Sequence, residues 1–145
     1  MSFKWYYFSS TLIIYAQASE EVTELTKEKS PFDRHHIFYI RTEWNKGSLK
    51  KLRMHPYCMV YLERDTIHRY LHTHLAYIPT PRTIIVKDVL NHLDLLKKYG
   101  GIKDDDPLEK RLQVLIALFD CVEQPTADAL REQLALVHKF KKAPH

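Results

Sequence analysis

Glycine is scarce, with three residues in a chain of 145. That disfavours a β architecture built on many tight turns and favours helices. Cysteine is scarce as well. Cys58 and Cys121 stand alone, with no C-x-x-C pair, so a cysteine-rich zinc site is excluded. A disulfide between them is possible on paper, but reduced thiols in a cytoplasmic protein are the simpler reading. Long apolar runs are missing. The most apolar stretch, FKWYYFSSTLIIYAQ at 3–17, is interrupted by Lys4, Ser9, Ser10 and Thr11. It is too short to span a bilayer and lacks the small-residue cleavage pattern of a signal peptide, so a buried strand or helix without a membrane role is expected. Strong charge of one sign is missing too. A net charge of +4 and a pI of about 9.0 permit nucleic-acid binding without requiring it. There are no internal repeats and no low-complexity segments.

The residues present, 45% apolar and 28% charged, suit a single domain over 1–145 with a real core. Residues 3–16 are rich in aromatic and β-branched types, which favours a strand. The following ASEEVTELTKE is compatible with a helix, so a strand then a helix, or one helix, both stay open. Ser30-Pro31 breaks the pattern. HIFYIR at 36–41 and PYCMVYLE at 56–63 read as strands around a turn at WNKG (44–47), with 36–41 pairing 57–62 in hairpin fashion. Asp65 or Thr66 is positioned to cap a helix through His68 and His72, on which Ile67, Leu71 and Leu75 recur at helical spacing. Pro79 and Pro81 end that unit. Three amphipathic helices follow over 83–140: one capped by Thr83 and ended by Gly100-Gly101, one started by Asp106-Pro107, and one opened by Pro125. The expected class is α+β, a small β-hairpin and helix packed with several amphipathic α-helices. Those helices read as core and could also carry a homodimer interface.

Five of the nine histidines fall in two segments, DRHHIFYIRTEW (33–44) and YLERDTIHRYLHTHL (61–75). Four residues apart on a helix, His68 and His72 share a face one turn apart, which suits two ligands of one divalent cation. His74 would point elsewhere. His35 and His36, neighbours on a strand, face opposite ways, so one could bind a metal while the other contacts substrate or takes a proton. His55, His92, His138 and His145 read as structural or surface residues. Trp44 could stack on a base, although core filling is the simpler reading, and Asp104–Asp106 read as a loop leading into a helix cap.

The order His-His on a strand, a β return, then His-x-x-x-His on a helix resembles the HNH, or ββα-metal, nuclease family. The text RHHIF…LRMHPYCMVYLERDTIHRYLH also resembles small bacterial and phage members without zinc-binding cysteines. The resemblance covers 33–75. It implies a ββα unit around one divalent metal ion (Mg, Mn, Ni or Zn), with His35 and His68 as ligands, His72 as an accessory ligand and His36 as the general base. The implied reaction is phosphodiester hydrolysis in DNA. Lys50, Lys51, Arg53, Arg64 and Arg69, which lie between or within the histidine segments, would hold the backbone without reading sequence. The family's second-strand Asn has no counterpart here: Tyr57, Cys58 and Met59 stand near its place, and Asn45 lies earlier, in the turn. That departure supports a second expectation, a non-catalytic protein on the same scaffold, such as a phage or mobile-element regulator or inhibitor that binds nucleic acid or protein. A third is an unrelated α-rich interaction module with incidental histidines.

Overall fold

The computed structural model describes the backbone of the strands Phe3–Phe8 and Thr11–Ala16, and residues 31–38 and 42–143. The helix-compatible segment 18–28 and His145 lie outside the described residues. The protein is a mixed α+β fold, as the sequence pattern indicates. Strands β1 (Phe3–Phe8) and β2 (Thr11–Ala16) pair antiparallel, from Phe3 opposite Ala16 to Phe8 opposite Thr11. The aromatic and β-branched N-terminal run thus forms two strands.

A second antiparallel pair holds β3 (Phe32–His36) against β4 (Met59–Glu63), with His35 opposite Val60 and His36 opposite Met59. The ladder continues by one bond at each end, Ile37 N to Cys58 O at 2.9 Å and Arg64 N to Pro31 O at 2.7 Å. The strands expected at 36–41 and 57–62 are thus found at Phe32–His36 and Met59–Glu63; residues 39–41 lie outside the described residues. Ile37 and Phe38 are fully buried, and Phe38 stacks on the buried Trp44 at 5.0 Å. Trp44 is thus a core residue. In β4, Val60 and Leu62 are buried and their neighbours are only partly so, the alternation of a strand with one face on the core.

The strands are not joined by a tight hairpin. A 3-10 turn at Thr42–Asn45 leads into helix α1 (Gly47–Arg53), and a second 3-10 turn at Pro56–Cys58 leads into β4. The WNKG turn is real, and Gly47 adopts φ +57° there, a conformation that favours glycine. His55 is structural: its Nδ1 accepts from Tyr57 N at 3.1 Å and closes the second turn.

After β4, the π-helical turn Arg64–His68 runs into helix α2 (Arg69–His74). Asp65 and Thr66 do not cap it as expected. Asp65 binds Arg69 at 2.9 Å and Thr66 Oγ1 donates to Glu63 Oε1 at 3.1 Å. Ile67 and Leu71 are fully buried, which anchors this segment on the core.

Helices α3 (Thr83–Lys98), α4 (Leu108–Asp120) and α5 (Gln124–Lys142) complete the fold. Their stripes Val86–Val89–Leu93, Leu108–Leu112–Leu115–Phe119 and Leu130–Val137–Phe140 are buried. The N-cap of α3 is Arg82, not Thr83. Nor does Asp106 cap α4: its carboxylate accepts from Tyr57 Oη at 2.6 Å and Lys103 N at 3.1 Å. Arg111 explains why that loop is held. Almost fully buried, it donates to the carbonyls of Asp106, Asp104, Pro56 and Met59 and lies 4.8 Å over the Tyr57 ring. A buried guanidinium needs such partners. Here it ties the α3–α4 loop to the turn that starts β4. No helix among the described residues is long and apolar enough to cross a membrane.

Candidate metal centre

Alternation along β3 sends Asp33 and His35 to one face and Arg34 and His36 to the other. His35 is fully buried. On its side lie His68, at the end of the π-turn, and His72, one turn later in α2. The rings of His35 and His68 are 5.4 Å apart, those of His35 and His72 are 6.0 Å apart, and those of His68 and His72 are 4.3 Å apart. One ring nitrogen from each of the three lies within 4.8 Å of the others. A π-turn is uncommon and recurs at functional sites; this one delivers His68 into the group.

The hydrogen bonds around the rings determine which nitrogens carry lone pairs. Gln133 Nε2 donates to Ile37 O at 3.0 Å, and Gln133 Oε1 lies 2.8 Å from His35 Nε2. An amide oxygen only accepts, so His35 Nε2 carries the hydrogen and Nδ1 the lone pair. That Nδ1 is buried and has no hydrogen-bond partner. His68 Nδ1 faces Asp33 Oδ2 at 3.4 Å, which places its hydrogen there and leaves Nε2 as the lone-pair atom. Asp33 is itself held by Arg64 Nε at 2.9 Å. His68 Nε2 accepts from His72 Nε2 at 2.8 Å, so His72 would have to move that hydrogen to Nδ1 for its Nε2 to bind a cation. A carboxylate or amide behind a histidine is the arrangement that orients metal-binding imidazoles.

Electrostatics point the same way. Burial, reinforced by the neighbouring His68 and His72, holds the His35 pKa down at about 3 despite the Gln133 hydrogen bond. Burial, then His72, lowers that of His68, and Asp33 opposes the shift. Both rings are therefore held toward the neutral, lone-pair form that binds a cation. His36 has its pKa lowered to about 4, by burial first and then by the charges of Arg53 and Arg34.

The residues fit a metal ion on two observations. A buried imidazole nitrogen lacks any partner, a state that costs about 1–3 kcal/mol, and three nitrogen donors converge on the same place. An all-imidazole set suits zinc or nickel better than magnesium, which prefers oxygen ligands.

The other sequence candidates are placed differently. His36 is outside the three-histidine group. Lys50 and Lys51 are exposed on α1. Arg53 donates to Asn45 Oδ1 at 3.2 Å. Arg64 and Arg69 are engaged by Asp33 and Asp65, each at 2.9 Å. His74 Nδ1 contacts Tyr70 O at 2.9 Å and His92 Nδ1 contacts Asp88 O at 2.7 Å, both exposed, and His138 is exposed. Two residues were missed by sequence reasoning. Asp33 had a signal, since period-two alternation puts it on the His35 face. Gln133 had a fainter one, a lone polar residue on the α5 apolar stripe between Leu130 and Val137. No significant match to a family model, a curated protein or a solved structure was found.

Proposed function

We propose that the chain is an HNH-like, metal-dependent endonuclease that hydrolyses phosphodiester bonds in DNA. The observation that carries this reading is the meeting of His35 with His68 and His72 around a common point. These three residues would hold one divalent cation, with zinc or nickel favoured. When bound, the cation would supply Lewis-acid stabilisation of charge on a phosphate oxygen. His36, on the adjacent strand position, is neutral at pH 7 and can accept a proton from water. Burial first, then Arg53 and Arg34, depress its basicity, and a phosphate drawn to those guanidiniums would offset the part due to their charge. Lys50 and Lys51 add exposed positive charge on α1 for contacts to the backbone. Arg64 and Arg69 would first have to exchange their carboxylate partners for phosphate.

The test is plasmid nicking by the full chain with Mg²⁺, Mn²⁺, Ni²⁺ or Zn²⁺, beside His36→Ala. Metal-dependent nicking that falls by about 100-fold or more in the variant is expected of a general base. A catalytically inactive, nucleic-acid- or protein-binding member of the same family is the second reading. It is favoured by His36 lying on the opposite strand face from the histidine group and by the lack of an Asn within Met59–Glu63. DNA retention without nicking under any of these cations would select it.

A further inference from the structure

The helix α5 lies outside the ββα unit, yet its Gln133 side chain reaches the histidine group. Gln133 is fully buried between Leu130 and Val137 on the buried face of α5. A carboxamide in such a place is costly unless both ends are hydrogen-bonded. Both ends are used, on two groups that flank His36: the ring of His35 and the carbonyl of Ile37. The partners lie 98 and 96 residues away in sequence, so the contact has no local structural purpose within α5.

The chemistry allows one orientation only. The Ile37 carbonyl can only accept, so the amide nitrogen faces it and the amide oxygen faces His35. A flipped amide would set oxygen against oxygen at one end and leave an N–H facing the ring at the other. The ring must answer with Nε2–H, and its lone pair is then on Nδ1, the buried nitrogen without a partner. An apolar residue at 133 would leave the ring free to rotate or to change tautomer.

We infer that Gln133 is a positioning residue of the metal centre: it locks the His35 imidazole as the Nε2–H tautomer with Nδ1 presented as the ligand atom, and pins the strand end at Ile37 so that His36 keeps a defined place beside it. This rests on the reading of the three histidines as a metal centre, but not on cleavage of DNA.

The experiment uses the ¹⁵N-labelled full chain, free of metal, at pH 7. Long-range ¹H–¹⁵N correlation reports the tautomer of His35 directly, and calorimetric titration with Ni²⁺ reports affinity. Wild-type protein is expected to show His35 as Nε2–H. Gln133→Leu should lose that single tautomer and bind Ni²⁺ about 10–100-fold more weakly, with its helical circular dichroism retained. Gln133→Glu keeps an acceptor for the ring while losing the donor to Ile37, so it should keep the Nε2–H tautomer. A packing role alone would not produce that rescue. An Nδ1–H tautomer in the wild-type protein overturns the inference whether or not either variant folds. So does a Gln133→Leu protein with unchanged tautomer and Ni²⁺ affinity. A wild-type chain that binds no Ni²⁺ overturns the inference and the metal reading together. Failure to nick plasmid, with Ni²⁺ binding and the tautomer intact, removes only the nuclease reading.

Discussion

The two faces of strand β3 differ in what their histidines meet, although they are one residue apart. The inner face carries Asp33 and His35. It runs from the buried His35 to the exposed His72, its rings are oriented by Gln133 and Asp33, and its buried imidazole is held neutral by desolvation. The outer face carries Arg34 and His36. It is partly open, and its histidine is held neutral by burial first and then by the nearby charges of Arg53 and Arg34. A preorganised donor set belongs on the first kind of surface, since fixed ligands lower the cost of binding. A group that must meet water and a charged substrate belongs on the second. Because the strand alternates, adjacent histidines are set in two different surroundings, which is what the proposed division into ligand and base requires.

The largest effect that would separate the faces is on metal affinity. His68→Ala removes a nitrogen donor and should weaken Ni²⁺ binding by more than the roughly 10–100-fold typical of an outer-shell change. His36→Ala should leave it within about threefold. Equal losses in the two variants, measured by calorimetry, would erase the distinction between the faces.

A smaller effect is expected behind the ligands. Asp33→Asn removes the charge that holds the hydrogen on His68 Nδ1. Ni²⁺ affinity should fall by about tenfold, and Arg64 loses its partner. If affinity is unchanged, the carboxylate serves only Arg64.

The smallest effect concerns the outer surface. Lys50→Ala with Lys51→Ala should reduce DNA binding several-fold and lower the slope of log K against log salt by roughly 1 per lost phosphate contact. Ni²⁺ affinity should not move. A salt slope identical to wild type would take α1 out of the DNA-binding surface.

Parts of this arrangement were readable from sequence for a physical reason. His68 and His72 are four apart in a segment whose Ile67 and Leu71 demand burial, so the helical face was fixed by the core. The HH pair precedes apolar residues, so one of the two had to turn inward. The strand boundary was misplaced because Ile37 and Phe38 are as β-prone as their neighbours, yet both are buried in the core, where Phe38 stacks on Trp44. Helix α1 was not expected: seven residues with no side-chain cap carry a weak local signal. Asp106 looked like a helix cap, but its carboxylate is taken by Tyr57, 49 residues away. The link from Gln133 to His35 was out of reach for the same reason, since long-range polar pairs leave no periodic trace.

Joint binding of one cation by His35, His68 and His72, as proposed, can be read with Co²⁺, whose visible absorption responds to nitrogen ligands. Titration of the metal-free chain should saturate at one equivalent with new visible bands, and His35→Ala, His68→Ala and His72→Ala should each lose them. Absence of those bands in the wild-type protein, or their persistence unchanged in all three variants, would contradict the account.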